Sequence, residues 1–374
     1  MKPSELVDGL KTLVHTRTAP YQELEATVAV HEWLKKLKIQ VETDNYGNTV
    51  ARVRKGMPRR TVALVTHLDR PALRVTSVKG QAVQTMAEGP IPAQGLKSAK
   101  LLFPKTKEGE IKASVASSKD SGELTESASL KVGAKDPSPA IDDFATFDLG
   151  AFSRKENALK GPGLRVAAGV ASMIATLADL AEGSQPVDVY AVFTRARYAA
   201  CGGAVAVAVD FHLPRDTILF CVEGQPDDVV SRGAGPAILM GDAGGPFDPR
   251  ATAVLLGAAG EIAGKKFAFQ RGAALNEAML PAVFLTFGLS SGGIALPVKN
   301  YQHFGARGVA AEEMDLRDIQ NASELLAAAA VRASAGGDDL DHRRNALIMS
   351  SADGREKLRE PIDPVTGYPT GARF

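Results

Sequence analysis

The feature that most constrains the fold is a series of apolar runs that alternate with helical segments. Residues 61–66 (TVALVT) form a continuous apolar run, which is typical of a strand buried on both faces of a sheet. Similar runs predict strands at residues 188–194, 217–223, 237–242 and 282–287. Helical periodicity predicts helices at residues 4–15, 23–37, 164–180, 250–263 and 311–333. Because strands alternate with helices, we expect an α/β fold with a doubly wound, mostly parallel sheet.

A different pattern separates the first strands from the later ones. Between residues 72 and 149, short alternating segments are divided by Gly, Pro and Ser clusters, with little helical periodicity. We therefore predict a small β-barrel-like domain at residues 72–149, inserted into an α/β domain formed by residues 1–71 and 150–334. Residues 335–374 are polar and charged with a Pro- and Gly-rich end, and we expect them to form a tail or arm, or to be disordered.

Composition narrows the classes of partner and compartment. The 374 residues are 45% hydrophobic and 23% charged, as in an ordinary globular protein, and the formal net charge is only +1. Such a balance gives no reason to expect nucleic acid or an anionic membrane as a partner. Cys201 and Cys221 are the only cysteines, so a disulfide framework is not indicated. The first residues lack a signal peptide's apolar run, and no apolar stretch is long and uninterrupted enough to span a bilayer, so we expect a cytoplasmic protein.

Candidate site residues follow two of the predicted strands. His67 and Asp69 come directly after residues 61–66, and the carboxyl end of a strand is where open α/β sheets bind ligands. An Asp beside a His can orient the ring and raise its basicity towards a metal, although a purely structural His–Asp pair is the alternative. Glu223 ends the run 217–223, and His303 lies in the loop KNYQHF. Taken singly, Glu223 could form a salt bridge and His303 could lie on the surface.

Three arginines are expected at the same edge of the sheet. Arg195 and Arg197 follow the strand at residues 188–194, and Arg165 opens a helix after the Gly-Pro-Gly sequence at 161–163. Cations in a cleft at strand ends suit a carboxylate ligand, such as a peptide C-terminus or an acidic metabolite. The alternative is a set of solvated surface arginines.

In their order and spacing, these motifs resemble those of the co-catalytic metallo-aminopeptidases of the tetrahedral and glutamyl aminopeptidase type (peptidase family forty-two). The resemblance covers about residues 1–330 and rests on the segments DNYGN, VALVTHLD, FDLGAF, KGPGLRVAAGVA, DVYAVFTRARYAACGGA, LFCVE and NYQHF. It implies that His67 is a metal ligand, that Asp69 orients it, and that Glu223 and His303 are further ligands. It also implies a homo-oligomer, because relatives of this type form large symmetric assemblies.

The sequence departs from this family where the metals and the base would lie. Arg165 stands at the position of the metal-bridging aspartate, Arg197 at that of the general-base glutamate, and Tyr198 at that of the next ligand glutamate. A dinuclear zinc site needs several carboxylates to offset its charge. At an effective dielectric of about 20, unit charges 4 Å apart interact by roughly 4 kcal/mol, so two arginines would strongly repel two zinc ions. We therefore expect no metal, with Arg165 and Arg197 paired instead to Glu223 and Asp69.

This reasoning predicts an aminopeptidase-like protein that has lost its dinuclear site and its peptidase activity. The remaining cationic pocket would bind a small carboxylate or peptide ligand through Arg165, Arg195, Glu223 and His303, or the chain would act as an assembly subunit. The catalytic positions would then be held by Asp69, Arg197 and Tyr198. The alternative is a hydrolase with one zinc, cobalt or manganese ion on His67, Glu223 and His303, in which Tyr198 assists proton transfer.

Two other mechanisms stay open at this point. Cys201, in the Gly-rich loop at residues 199–203, could act as a nucleophile, although most such cysteines are small packed residues. A bridging aspartate could come from Asp142, Asp143 or Asp148, with Glu277 as a nearby carboxylate, and an ordinary aminopeptidase would then be restored.

Overall fold

The chain begins with two helices and a hairpin that lead into a central sheet. The computed structural model describes residues 1–106, 109–210, 213–214, 216–264, 267–336, 339–359, 363 and 365–366. The first elements are α1 (Pro3–His15), α2 (Leu24–Lys36), β1 (Gln40–Thr43), β2 (Thr49–Lys55) and β3 (Val62–His67). β1 and β2 pair in antiparallel across a turn that includes Gly47, whose φ of 83° favours glycine. Every residue of β3 is buried, as its continuous apolar sequence predicts.

The next segment of the chain forms a closed barrel. Its strands are β4 (Ala72–Lys79), β5 (Ala82–Glu88), β6 (Lys100–Thr106), β7 (Gly109–Ser121), β8 (Leu124–Val132) and β9 (Phe144–Phe147). They close in the order β4-β5-β8-β7-β6-β9. Apolar side chains that alternate along these strands fill the interior, among them Val75, Phe103 and Leu130.

After the barrel, the chain returns to the central sheet. The elements are β10 (Ser153–Lys155), β11 (Ala158–Gly161), α3 (Leu164–Glu182), β12 (Val187–Thr194), α4 (Gly202–Val209), β13 (Ile218–Pro226), β14 (Ala237–Asp242), β15 (Gly245–Pro246), α5 (Pro249–Ile262), β16 (Gln270–Ala274), α6 (Leu280–Thr286), β17 (Ser290–Val298), β18 (Phe304–Gly305), β19 (Gly308–Val309), β20 (Glu312–Asp315), α7 (Leu316–Ser334), α8 (Asp339–Ser350) and α9 (Ala352–Lys357). The described part of the segment after residue 335 contains the two helices α8 and α9.

Nine strands of the described chain form the central sheet. Their order is β1-β2-β12-β3-β13-β17-β14-β15, with β16 beside β14. β12, β3, β13 and β17 are parallel and form the centre, whereas β2 and β14 flank that centre in antiparallel. The predicted α/β fold with an inserted barrel is confirmed, and the parallel strands are the central ones. The carboxyl ends of parallel strands lie at the same edge of the sheet. The residues that follow β3 and β12 therefore lie near the carboxyl end of β13.

One face of the sheet is covered by a layer of helices with α3 at its centre. The helices lie in the order α2, α1, α3, α7 and α5, and α8 packs on α5 at the far end. By length and composition alone α3 is apolar enough to cross a membrane, contrary to the sequence-based expectation that no segment would be. However, 89% of its apolar window is buried inside the protein. Its hydrophobicity is therefore that of a core helix.

Two sequence-based predictions of secondary structure are wrong. Residues 282–287 were expected to form a strand, but they lie in α6 and in the turn that follows it. The strand in this region is β17, whose Gly292 and Gly293 weakened its strand pattern and whose residues are nearly all buried. Gly293 is required there because a Cβ would lie 2.6 Å from the Phe247 ring. The helix expected from residue 311 begins instead at Leu316, after β20.

Candidate functional site

Four side chains that the sequence singles out meet at the carboxyl edge of the parallel strands. His67 is the last residue of β3, and Asp69 follows two residues later. Glu223 lies in the neighbouring strand β13, and Arg197 lies in the loop after β12. His67, Asp69 and Glu223 are at most 5% exposed, and the Arg197 side chain is 12% exposed. We call these four residues the first cluster.

Asp69 holds the loop that carries Arg197. Its carboxylate accepts hydrogen bonds from the backbone N–H groups of Arg197 at 2.9 Å and Tyr198 at 3.0 Å. Nδ1 of His67 donates to the carbonyl oxygen of Asp69 at 3.1 Å and lies 3.4 Å from its Oδ1. Burial opposes the charged form, but the interactions with His67 and the two N–H groups lower the pKa of Asp69 below its usual value. Asp69 is thus an ionised anchor as well as the partner of His67.

The Arg197 guanidinium lies directly beside Glu223. Nε of Arg197 is 3.0 Å from Oε1 of Glu223, as the sequence led us to expect, and Nη2 donates to the carbonyl oxygen of Ala278 at 2.7 Å. Oε2 of Glu223 accepts the N–H of Leu280 at 2.7 Å, and Nε2 of His67 is 4.0 Å from Oε1. Burial opposes the charge, but Arg197 and His67 lower the pKa of Glu223. Glu223 is therefore ionised, and both of its oxygens are in use.

Arg165 forms a separate ion pair with a carboxylate that the sequence analysis did not identify. Its Nε lies 3.1 Å from Oε1 of Glu312, and its backbone N–H donates to Oε2 at 2.9 Å. The guanidinium also donates to the Tyr198 hydroxyl and lies 5.2 Å from the centroid of the Tyr301 ring. Burial opposes its charge, but these neighbours raise the pKa of Arg165 above its usual value. We call Arg165, Glu312 and Tyr301 the second cluster. The expected pairing of Arg165 with a carboxylate of the first cluster is wrong.

Tyr198 joins the two clusters. Its N–H donates to Asp69, its hydroxyl accepts from Arg165, and its ring lies edge-on to His67 with centroids 5.9 Å apart. Gly89, in the loop after the barrel strand β5, lies against the same ring: its φ is 85°, and a Cβ there would be 2.8 Å from Cδ1 of Tyr198. Burial raises the pKa of Tyr198 to about 12, although the two nearby arginines oppose the shift. The phenol is therefore neutral near pH 7 and is enclosed between the barrel and the sheet.

Two predicted site residues lie apart from the first cluster. Nδ1 of His303 donates to a backbone carbonyl oxygen at 3.0 Å, and the ring lies edge-on to Phe147 with centroids 5.6 Å apart. Burial, with a contribution from Arg165, lowers the pKa of His303, so its imidazole is neutral near pH 7. Arg195 instead faces the N-terminal segment, where its Nε donates to Oε2 of Glu23 at 2.7 Å. Among the contacts that the structure describes, neither residue touches the first cluster.

Several residues at this edge carry charge that sequence reasoning missed or placed differently. Glu277, considered earlier only as an alternative ligand, accepts from the Tyr301 hydroxyl and from Gln225 and lies 4.0 Å from Nη2 of Arg197. Arg70 is 6% exposed, and burial lowers its pKa to about 10. Arg70 directly follows the motif with His67 and Asp69, but only the fold shows that it is buried. No local pattern marked Glu312, which begins a four-residue strand.

The residues of the two clusters differ from the donor set that the family resemblance implies for two metals. Of the three ligands considered for a single metal, His67 and Glu223 are neighbours, whereas His303 is bonded elsewhere. In the part of the chain that the structure describes, no group of three or more His, Cys, Asp or Glu side chains is arranged to hold a metal ion. The positions that would supply the missing carboxylates hold Arg165 and Arg197, which are both charged and both paired.

The aspartates considered as replacement ligands belong to the barrel side of the molecule. Oδ1 of Asp142 accepts from Arg74 at 3.0 Å, and Oδ2 of Asp143 accepts from the N–H of Ala140 at 2.7 Å. Asp148 lines a cavity with residues of the loop at 300–310. These contacts give no support to the alternative alignment in which one of them bridges two metals.

Cys201 lies in a backbone segment of unusual conformation. Ala196, Ala200 and Cys201 have φ values of 53°, 54° and 55°, which are rarely adopted by residues other than glycine. The Cys201 sulfur lies 3.6 Å from Nη1 of Arg197. Burial nevertheless raises the pKa of the Cys201 thiol, although Arg197 opposes the shift. A thiol in this state is a weak nucleophile near pH 7, which disfavours the cysteine mechanism.

Comparison with known proteins gives structural matches alone. No protein-family model matches the chain, and no curated protein matches it. An aminopeptidase from the archaeon Desulfurococcus kamchatkensis superposes with a TM-score of 0.75 at 20% identity, over 90% of this chain and 97% of the other. A TET aminopeptidase from a marine-sediment thaumarchaeote gives a TM-score of 0.76 at 16% identity, over 90% and 98%. The TET1 peptidase of Pyrococcus horikoshii, described as assembling into a tetrahedron or an octahedral shell, gives 0.71 at 17% identity, over 87% and 99%.

These matches extend over nearly the whole length of each neighbour and over most of this chain. At such low identity the matches establish the fold alone, and the chemistry of the site has to be inferred from the residues of this chain. The resemblance drawn from the sequence motifs is confirmed at the level of the fold, and the chain has the fold of the tetrahedral-type aminopeptidases.

Proposed function

We propose that this chain is a metal-independent, non-peptidase protein with an aminopeptidase fold, and that it acts as a subunit of a homo-oligomeric assembly. The observation that carries the proposal is the Arg197–Glu223 ion pair, in which a guanidinium is bonded to a carboxylate that the family resemblance assigns to a metal. Arg165 forms an equivalent pair with Glu312 at the second cluster. At both positions, therefore, an arginine of the protein itself supplies the positive charge that pairs with the carboxylate.

The electrostatics of these pairs disfavour metal binding. A divalent ion bound to Glu223 would have to displace Arg197 or share the carboxylate with it. At an effective dielectric of about 20, each pair of unit like charges 4 Å apart costs roughly 4 kcal/mol, and a zinc ion carries two. The second expected metal position would face Arg165 in the same way. A site of this charge also has no carboxylate base for water, because Arg197 holds that position.

The single-metal hydrolase is the weaker alternative for two reasons. Its three ligands do not lie together, since His303 is bonded to the carbonyl oxygen of Ala310 and faces Phe147. The proton-transfer group that it requires, Tyr198, has a pKa of about 12 because of burial, so it is a poor base near pH 7.

The carboxylate-binding role stays a prediction. The guanidinium groups of Arg165, Arg195 and Arg197 each form an ion pair with a carboxylate of the protein, namely Glu312, Glu23 and Glu223. A carboxylate ligand would have to displace one of these internal partners, which leaves a buried charge unpaired. An assembly role needs no such displacement. It also agrees with the dodecamer and the tetrahedron described for two structural neighbours.

Metal content and assembly state test the proposal together. Protein purified without chelator, then incubated with zinc, cobalt or manganese and desalted, is expected to retain no stoichiometric metal by elemental analysis, and to release no amino acid from peptides. A double variant, Arg165→Asp with Arg197→Glu, restores the two carboxylates that the resemblance implies, and Arg195→Glu is the matched control outside the clusters. Two metals per wild-type chain together with peptidase activity would overturn the proposal, and a monomer at all concentrations would overturn its assembly part.

A further inference from the structure

We propose that the Glu277 carboxylate occupies a site that binds small organic monocarboxylates, and that a ligand of this class takes its place when the Glu277 side chain turns into solvent. The inference goes beyond the assembly role. It rests on the proposed function at one point, because Arg197, rather than a metal ion, must be the cation beside the site. The Arg197–Glu223 ion pair stays closed throughout.

Three donor groups face the Glu277 carboxylate. Its Oε1 accepts hydrogen bonds from the Tyr301 hydroxyl and, at 3.1 Å, from Nε2 of Gln225. Its Oε2 lies 4.0 Å from Nη2 of Arg197, and Arg165 is a second cation that attracts it. Gln225 is only 3% exposed, so one of these donors is fixed in the interior of the protein. Two neutral donors beside two guanidiniums form a site that suits a carboxylate.

Glu277 is held less firmly than the other glutamates that pair with these arginines and with Arg195. Its side chain is 28% exposed, whereas the side chains of Glu312, Glu23 and Glu223 are at most 5% exposed. Its 4.0 Å separation from the Arg197 guanidinium is longer than a hydrogen bond. If Glu277 turns away, its charge enters solvent and no carboxylate is left buried and unpaired. Exchange of a ligand with Glu277 therefore avoids the cost that opposes exchange with the other three glutamates.

The segment between β16 and α6 allows the Glu277 side chain to move without disturbing the sheet. Leu275 is 72% exposed, and Asn276 and Ala278 are exposed as well. The backbone at this point is anchored, because the carbonyl oxygen of Glu277 accepts a hydrogen bond from the N–H of Ala243 at 3.2 Å. A change in the side-chain rotamer of Glu277 is therefore enough to vacate the site.

Charge balance favours a ligand with a single negative charge. With Glu277 in place, the guanidiniums of Arg165 and Arg197 face three glutamates, namely Glu312, Glu223 and Glu277 itself. A monocarboxylate restores this balance when Glu277 turns away, whereas a phosphate group adds nearly one more negative charge than the site normally holds. The ligand also supplies the acceptor that the two neutral donors would otherwise lack.

A cavity lined by residues of the barrel and of the loop at 300–310 is the main competing site for an anion. It encloses about 520 Å³, and its lining includes Lys100, Arg307 and Asp148. Lys100 and Arg307 are both exposed, so solvent screens their attraction for an anion. The change Arg307→Ala is therefore the matched control for binding at this surface.

The test follows the melting temperature of the full-length wild type and of Glu277→Ala in sodium acetate and in sodium chloride of equal ionic strength. For a dissociation constant of about 1 mM, acetate at about 100 mM is expected to raise the melting temperature of Glu277→Ala by about 3 °C relative to chloride. The wild type is expected to bind acetate about tenfold more weakly, because Glu277 competes from within the chain. Its shift at the same concentration should be about 2 °C.

Two double variants locate the bound acetate. Glu277→Ala with Tyr301→Phe removes one donor of the site, and we expect the dissociation constant for acetate to rise about tenfold relative to Glu277→Ala. Glu277→Ala with Arg307→Ala leaves the site intact, and we expect the dissociation constant to stay unchanged. A dissociation constant that responds to Arg307→Ala and not to Tyr301→Phe would overturn the inference.

The titrations also decide whether Glu277 exchanges with a ligand in the native protein. Acetate that shifts Glu277→Ala no more than chloride does would overturn the site, and a wild type that does not respond would overturn the exchange. The wild-type titration decides the question alone if Glu277→Ala does not fold. Elemental analysis of the same wild-type preparation separates the two proposals: a metal-free protein without an acetate response leaves the proposed function standing, whereas stoichiometric metal would overturn both.

Discussion

The Arg197–Glu223 pair provides the sharpest test of how the first cluster is held together. The variant Arg197→Met leaves the Glu223 carboxylate in place, 5% exposed, with only the Leu280 N–H and His67 as neighbours of favourable charge. Removing one partner of a buried ion pair costs about 3–5 kcal/mol, because the remaining charge is uncompensated. An unfolding entropy of about 2.1 cal/mol/K per residue over 374 residues gives roughly 0.8 kcal/mol/K. The transition temperature should therefore fall by about 4–6 °C at pH 7.

The pH dependence of this loss distinguishes charge from packing. In the wild type, Arg197 and His67 hold the pKa of Glu223 below its unfolded value. The pair's contribution is therefore fully present above the unfolded pKa and is lost as pH falls through the folded pKa. In the variant, burial without the cation is expected to raise the pKa of Glu223, so the penalty grows as pH rises. The difference between variant and wild type should be largest near neutrality and shrink in acid.

Calorimetry or fluorescence-monitored melting of four proteins measures the effect. Arg197→Met with Glu223→Gln removes both charges and is expected to recover most of the lost stability. Arg317→Met, which removes a 56% exposed arginine from its ion pair with Asp315, is the surface control and should change the transition temperature by much less. If Arg197→Met melts like the wild type at pH 7, or is equally destabilised at pH 4, the argument that Arg197 compensates a buried carboxylate is refuted.

Two smaller predictions concern the contacts around Tyr198 and the thiols. Gly89→Ala should destabilise the protein by about 1–3 kcal/mol in urea, because its φ is 85° and the new Cβ meets the Tyr198 ring. Gly80→Ala, with φ of 60° and open space, should cost less, and equal losses would contradict the packing argument. At pH 8, Cys201 and Cys221 should be alkylated more slowly in the folded than in the unfolded protein, because burial raises both thiol pKa values. Rapid labelling of folded Cys201, read by mass spectrometry, would contradict this.

The parts of the fold that rest on long periodic patterns were predictable from the sequence. Continuous apolar runs identified β3, β12, β13 and β14, and helical periodicity identified α1, α3 and α5. β17 was missed because it is stabilised by burial on both faces and by neighbouring backbones, which its Gly-Gly sequence does not display. The segment at 282–287 is apolar enough for either state, and a short apolar run alone does not distinguish a strand from a helix.

At the candidate site, the sequence indicated which residues gather but not how they pair. The carboxyl ends of parallel strands lie at one edge of the sheet, and this rule correctly predicted that His67, Glu223 and Arg197 lie close together. The partner of Arg165 could not be foreseen, because Glu312 reaches the site from a short strand 147 residues along the chain. Arg195 shows the same limit: its loop is placed by the sheet, but its rotamer is set by Glu23.

The barrel's position within the chain has a consequence for synthesis on the ribosome. All six barrel strands come from one continuous segment, so that segment can close its contacts soon after it emerges. β3 precedes the barrel but pairs with β12, and the hydrogen bond between Thr66 and Thr194 spans 128 residues. A strand whose residues are all buried in the folded protein therefore has no partner strand while the whole barrel is translated. We therefore expect chaperones to protect β3 on the nascent chain before its release, at a stage when the barrel is already folded.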